Sequence, residues 1–536
     1  MLQFRLADME GRTRMLLQSL LEHSPLEPNL TFLTLLCFII VIFVLGLTRT
    51  RRNQLNLPPS PPKFPLIGNL HQLGALPHRS LTALSHKYGP LMFLRLGQTP
   101  TLVVSSAHFA REIVKSHDVV FSDRPQTTAA KILLYGCTDV GFLPYGEEWR
   151  VKRKICVLEL LSLKRVQSFQ YIREEEVAEL VNKIRQACAH QHDDRFSINM
   201  SQMIIAASNN IVSRCLLGHK FETADGKSRF GEVARKVMVH MTAFSFGDFF
   251  PSLGWMDFVT GLIPKLNATF RELDTFFDEV LAQHKSARSN EDEDHKSEKK
   301  DFVDILHQLQ QNHRLDYDLT QVDLKAMIVD MFTGGSDSTS TALEWGFAEL
   351  MKNPRVMKKA QEEVRRVMGN KSKVEEDDVR QMKYLGCVVK ETLRLHPPVA
   401  LSVPRETRSS VTLGGYYIPP KTTVFMNAWG IQRDPEFWER PEEFEPERFE
   451  GNQIDFKGQD FEFVPFGIGR RGCPGVSFGV ASLEYVLVNL LYWFDWKLPD
   501  ETGKSAQDID MSETYGLTVV KKLPICVQPI PYLIES

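Results

Sequence analysis

Apolar and polar positions divide this chain into three kinds of segment. The first is a run without a charge, "LTFLTLLCFIIVIFVLGLT" over residues 30–48, about the length that spans the hydrocarbon of a bilayer. Arg49, Arg51 and Arg52 follow directly, and that basic flank predicts a retained anchor with the downstream body in the cytosol. A cleaved signal peptide is the competing reading. It fits less well, because the basic cluster follows the apolar run and no small-residue cleavage site comes after it. The second kind is alternation: "GPLMFLRLGQTPTLVVSS" (89–106) reads as two strands with a turn at Gln98-Thr99-Pro100, and short strand signals return over 411–425 and near the C-terminus. The third is helical periodicity, which fills most of 107–396 and returns in "VSFGVASLEYVLVNLLYWF" (476–494).

Between anchor and strands, the prolines of "LPPSPPKFPLIGNL" (57–70) favour a stiff, extended spacer. "SNEDEDHKSEKKD" (289–301) reads as a charged surface link. No internal repeat and no second domain is marked. The expected organisation is an N-terminal extension (1–29), a transmembrane anchor (30–48), a basic and proline-rich hinge (49–63) and one large, mainly α body with small β-sheets (64–536).

Composition narrows the chemistry. With 43% hydrophobic and 24% charged residues the body is an ordinary globular one, and a net charge of -3 argues against nucleic acid, which wants a basic face. The 8 cysteines are scattered without a C-x-x-C pair, which disfavours a zinc cluster and, facing the cytosol, disulfides. Most read as small buried hydrophobes; Cys473 is the exception.

Cys473 sits in "FVPFGIGRRGCPG" (463–475), which admits two readings. Gly467, Gly469 and Gly472 spell G-x-G-x-x-G, the fingerprint of a dinucleotide site. That motif opens a βαβ unit, and here the following helix runs into a short C-terminal tail. The metal reading accounts for more residues: Pro474 suits the first turn of the helix, the helix N-terminus favours a thiolate at Cys473, and the glycines let backbone amides approach the sulfur. A single thiolate suits a haem iron, whose macrocycle supplies the other donors.

Three further constellations stand out. Thr320 and Asp323 form a capping-box pattern before an apolar pattern over 322–351, with Pro354 as the stop. Inside that helix lies "GGSDSTS" (334–340), poor helix formers whose hydroxyls can open the backbone ladder. Glu391 and Arg394 stand at i, i+3 before Pro397 and Pro398, and Trp149 and Arg153 stand at i, i+4. By themselves, the first pair reads as a surface ion pair and the second as an amphipathic helix with a core tryptophan.

"PFGIGRRGCPG" resembles the haem-binding loop F-x-x-G-x-R-x-C-x-G of the cytochrome P450 monooxygenases, with Phe466, Gly469, Arg471, Cys473 and Gly475 in register. "LPPSPPKFPLIGNL", "FSDRP" and "NAWGIQRDPEFW" resemble the microsomal enzymes of plant specialised metabolism, and the resemblance covers nearly everything from Leu57 onward. It implies a cytochrome P450-like fold, heme b with its iron on the Cys473 thiolate, and insertion of one atom of dioxygen into a neutral, largely apolar substrate such as a phenolic, coumarin, terpenoid or alkaloid. Electrons would come from NADPH through a separate NADPH-cytochrome P450 reductase, and the enzyme would sit in the endoplasmic reticulum membrane on a single span. Two other functions stay open: an oxygen-independent isomerase or dehydratase of the same fold, and a non-catalytic haem sensor.

The same resemblance assigns residues. Glu391, Arg394 and Arg448 would form a buried structural network, and Trp149, Arg153, Arg405 and Arg471 would meet the haem propionates. Asp337 with Ser338, followed by Thr339, would relay protons to dioxygen. Ser338 stands where the family has threonine; it keeps the hydroxyl and loses the methyl that fixes the rotamer. The substrate pocket would draw on Thr127 to Leu134, Met331, Phe332, Val399 to Val403 and Tyr515 to Leu517. Arg150, Lys152, Arg153 and Lys154 would suit docking of an acidic electron donor, if their helix lies on the cysteine side.

Overall fold

A computed structural model describes residues 32–39, 55–189, 196–221, 229–290, 300–311, 317–499 and 505–532. The chain divides into two compact units, 1–56 and 57–536. In the first, residues 32–39 are helical with exposed apolar side chains, and the rest of the expected anchor lies outside the described residues.

The second unit is mainly helical. Its principal helices are α1 (Pro77–Tyr88), α2 (Ala107–Ser116), α3 (Thr128–Leu133), α4 (Glu147–Ile155), α5 (Gln170–Ala189), α6 (Met200–Leu217), α7 (Arg229–Met241), α8 (Leu262–Asn290), α9 (Phe302–Gln311), α10 (Gln321–Lys352), α11 (Pro354–Met368), α12 (Lys383–Leu395) and α13 (Val476–Trp493). α10 runs through the middle, packed on α6, α7, α12 and α13. Its start follows from Thr320, whose hydroxyl accepts the Asp323 N–H at 3.1 Å while the Asp323 carboxylate accepts the Thr320 N–H at 2.8 Å. It ends at Asn353, and Pro354 opens the next helix. α13 is apolar on nearly every face, as a helix buried all round must be. It is long and apolar enough to cross a membrane by composition, but 61% of it is buried inside the body, where it is a core helix.

The strands β1 (Leu91–Leu96), β2 (Thr99–Val104), β3 (Ile198–Asn199), β4 (Arg405–Glu406), β5 (Val411–Leu413), β6 (Tyr416–Ile418), β7 (Thr423–Met426), β8 (Phe494–Lys497), β9 (Glu513–Thr514), β10 (Val520–Lys521) and β11 (Cys526–Pro531) form small sheets. The largest has the order β1-β2-β7-β4, with β2 and β7 parallel and the other neighbours antiparallel. The first hairpin turns at Gly97-Gln98, one position earlier than the sequence pattern indicates, because Gly97 takes φ 60° and Thr99 already pairs with Leu96. Gly414 and Gly415, at φ 55° and 80°, make the two-residue turn of the β5–β6 hairpin.

One expectation about α10 fails. The helix is continuous through "GGSDSTS", and hydroxyls in and beside the run turn back onto their own backbone: Thr333 bonds the Val329 carbonyl at 2.7 Å, Ser338 that of Gly334 at 2.6 Å, and Ser340 that of Ser336 at 2.9 Å.

Candidate active site around Cys473

The loop before α13 is shaped by glycine. Gly467 and Gly469 take φ of 67° and 65°, and a Cβ on Gly469 would fall 2.8 Å from the Asp118 carboxylate. Asp118 accepts the Arg470 N–H at 3.0 Å and pairs with Arg405 at 3.4 Å, so a carboxylate far back in the chain holds the loop. The Cys473 N–H donates to the Phe466 carbonyl at 2.8 Å, and the Gly475 N–H donates to Cys473 Sγ at 3.3 Å. α13 starts at Val476 with Gly475 at its N-cap; Pro474 therefore lies in the turn just before the helix.

This geometry removes the dinucleotide reading. Residues 461–466 form turns and irregular backbone where a strand is required, and the glycines lead into the 3₁₀ turn Gly469–Arg471 rather than a helix. The Cys473 side chain opens on a cleft of about 920 Å³ that Arg153, Phe466, Val480 and Glu484 also line. Protein still encloses the sulfur closely: this burial pushes the thiol pKa up, while the Gly475 N–H and the Arg153 charge pull it down.

Behind the loop lie the buried arginines Arg124, Arg405 and Arg471, with Arg153 half-buried beside them. Arg471 donates to the carbonyls of Ser122 (2.6 Å), Val140 (3.1 Å) and Leu143, and its guanidinium lies 4.4 Å from the centre of the Trp149 ring. Arg405 donates to Ile468 and Arg153 to Gly472 (2.6 Å). Arg124, from "FSDRP", donates to Gly141 (3.1 Å), Pro404 (2.9 Å) and Val403. Among the described residues only Arg405 in this set has a carboxylate within ion-pair distance. Burial first, then the Arg405 charge, pushes Arg471 down to about 9, and burial with the charges of Arg471 and Arg405 pushes Arg124 well down. Such a donor set is chemically matched to an anionic group with several oxygens, as the carboxylates of a haem are.

Arg124 carries no role in the sequence reading, although its motif is quoted there; its meaning comes from neighbours 279 and 280 positions away. Asp139 and Asp330 were likewise missed. They form a buried carboxyl pair at the turn these arginines cover, with Asp330 accepting the Val140 and Gly141 N–H groups. Burial and the neighbouring Asp330 carboxylate hold Asp139 well above the usual carboxylate range.

Other expected residues stand as follows. Glu391 holds Arg394 through two bonds of 2.7 and 2.9 Å and Arg448 through one of 3.0 Å, with Glu391 and Arg394 wholly buried. The indole N–H of Trp149 donates to the Val140 carbonyl at 3.0 Å, and its ring is core; it meets Arg471 through its face. α4 does approach the cysteine loop, through Arg153, but Lys152 is not a docking charge: it is fully buried and bonds Asp323 and Glu148 at 2.6 Å each.

On α10 the Asp337 carboxylate accepts from Thr518 rather than Ser338, whose hydroxyl is committed to Gly334. Thr339 is buried and faces α13, where a Cβ on Gly479 would lie 3.9 Å from its hydroxyl. Met331 and Val403 pack on one core cluster, and Val399 and Leu517 are half-buried. Tyr515 packs on Ala400, Trp429 and Val519. Phe332 lines no accessible space: it is wholly buried against the rings of Phe276 and Phe277.

The Cytochrome P450 family profile matches residues 58–526. The chain is 54% identical to phenylacetaldehyde oxime monooxygenase CYP71AN24 of Prunus mume over 96% of its length and 97% of the relative's. It is 51% identical to cytochrome P450 71A1 of Persea americana, covering 92% and 98%, and 45% identical to strychnine-11-hydroxylase of Strychnos nux-vomica, covering 92% and 96%. A zebrafish cytochrome P450 solved with abiraterone superposes with a TM-score of 0.70 at 24% identity, covering 86% of this chain and all of that one, which speaks to the fold. The chain belongs to the cytochrome P450 family. It is a monooxygenase of the kind found in plant specialised metabolism, and its cofactor is haem.

Proposed function

We propose that this chain holds haem on the Cys473 thiolate and hydroxylates, or otherwise oxygenates, a small, neutral and largely apolar plant metabolite. The observation that carries the reading is the pairing of one cysteine, its sulfur reached by the Gly475 N–H, with buried guanidiniums of which, among the described residues, only Arg405 has a carboxylate within ion-pair distance. Cys473 would hold the iron; Arg124, Arg405 and Arg471 would hold the carboxylates of the group, and Arg153 would stand beside the loop that carries the sulfur. When bound, the haem supplies the one-electron and dioxygen chemistry, and a thiolate ligand favours O–O cleavage.

The remaining roles fall to the chain. Asp337, its carboxylate pushed up by burial and held by Thr518, is the acid of the proton relay, with Ser338 as the adjacent hydroxyl. Apart from Lys131 the expected pocket residues are uncharged, which favours a neutral scaffold. Relatives named for phenylacetaldehyde oxime and for strychnine support a small organic substrate. Electrons would come from NADPH through a separate reductase, which would meet the exposed basic residues Arg150 and Lys154 of α4 on the cysteine side. The uncharged run 30–48 with its basic flank supports a single span in the endoplasmic reticulum membrane, behind the 49–63 hinge and ahead of the 64–536 body.

The test is the carbon monoxide difference spectrum of the reduced protein. The parent should show the strongly red-shifted Soret band of a thiolate-ligated haem, and Cys473→Ala should lose it. A parent without the band in folded, haem-supplied protein would overturn the assignment of Cys473.

A further inference from the structure

We propose that Thr518 is a positioning residue for Asp337, through which the C-terminal loop that carries Tyr515 and Leu517 sets the aim of the acid on α10. The inference rests on the monooxygenase reading and goes beyond it by adding a residue and a coupling. The Thr518 hydroxyl, buried at 4% exposure, donates to Asp337 Oδ2 across 181 positions of sequence. The neighbour expected to work with Asp337, Ser338, spends its hydroxyl on the Gly334 carbonyl at 2.6 Å. The acid is therefore oriented from outside its own helix.

The loop that supplies this hydroxyl is fixed on both flanks. The Val519 N–H donates to the Pro398 carbonyl at 2.8 Å, and the Trp345 indole N–H donates to the Val519 carbonyl at 2.9 Å. Trp345 stacks on His396 with ring centres 4.2 Å apart, and His396 bonds Glu349 at 2.7 Å. On the other flank Glu513 bonds His78 at 3.1 Å and Arg79 at 2.7 Å. Between these posts lie only Thr514 to Leu517, so a displacement of Tyr515 or Leu517 by a bound molecule is passed to Thr518 rather than absorbed elsewhere. The other charges facing Asp337 are Arg235 of α7, which favours its ionised form, and Glu344 of α10, one of whose own raising influences is Asp337. Burial raises the Asp337 pKa, and the Thr518 hydroxyl opposes that rise.

The experiment uses the full-length, haem-loaded protein with Thr518→Val, Thr518→Ser, Asp337→Ala and the double variant Thr518→Val/Asp337→Ala. Amide hydrogen exchange over 513–521 should rise about fivefold in Thr518→Val and in Asp337→Ala, and the double variant should add little to either, as for two ends of one bond. The alkaline limb of turnover should move to higher pH in Thr518→Val, since the acid loses the donor that opposed its rise and keeps its proton further up the scale, and Thr518→Ser should restore both readouts. Additive exchange in the double variant, or a serine variant no better than valine, would overturn the positioning role by making the effect one of packing. A parent that shows the thiolate band and turns over while Thr518→Val matches it throughout would sink this inference alone; a parent without the band would sink the monooxygenase reading itself.

Discussion

Among the described residues, two groups of arginines withdrawn from water differ in what completes them. Arg394 and Arg448 converge on Glu391, and the remaining donors of Arg394 reach the carbonyls of Gln432, Pro441 and Glu443 at 2.8–3.1 Å. That set is closed: charge meets charge and every fork finds an oxygen. Arg124, Arg405 and Arg471 are also buried, yet they face one another; Asp118, 3.4 Å from Arg405, is the one carboxylate within ion-pair distance among the described residues, and the other partners are carbonyls without a full charge. A closed set serves the fold. An open one costs the fold electrostatically unless an anion completes it, and in the proposed reading the haem carboxylates would do so.

The comparison breaks most visibly at Glu391. Glu391→Ala leaves the wholly buried Arg394 without a counter-charge and Arg448 with only Glu445 at 3.4 Å, and should cost about 3–5 kcal/mol, a large share of a domain's stability. Thermal unfolding and soluble yield check it; a midpoint within about 2 °C of the parent would show that the set is not closed as described.

Arg471→Met should act in the other direction. Haem affinity should fall about tenfold with the loss of a charge-assisted bond, while the haem-free protein should lose far less stability than Glu391→Ala does. Denaturant titrations of the haem-free proteins at neutral pH would read the difference between the two variants.

The smallest effect sharpens the contrast with an intermediate case. Burial alone would raise Glu513, but the hydrogen bonds and charges of His78 and Arg79 overcome it and hold the carboxyl down to about 2. Its contribution is present above the ordinary value of 4.5 and is lost as pH falls from there toward about 2. Glu513→Gln should flatten the acid side of the stability curve over that window and leave neutral stability only slightly lower.

What was legible in the sequence was what local chemistry dictates. The Thr320–Asp323 cap, the stop at Pro354, the Glu391–Arg394 spacing and the glycine-shaped loop at Cys473 are all written within a few residues of themselves. What was not legible depends on partners brought from afar. Lys152 reads as a surface charge until Asp323, 171 positions on, neutralises it; Asp118 and Arg470 meet across 352 positions. The "GGSDSTS" run shows the converse limit: poor intrinsic helix formers stay helical because neighbours on several sides pack the long helix and its hydroxyls satisfy the backbone locally.

The carboxylate of Asp323 does two jobs at once, closing the first turn of α10 and gripping Lys152 of α4. Near its far end the same helix is clamped through Trp345 and Glu349 to the C-terminal loop and to His396. A rod of 32 residues, about 48 Å long, is thus bolted at both ends. It has no free stroke along its axis, and whatever arrives at its midpoint must be answered there by rotation of side chains, with the shaft itself standing still.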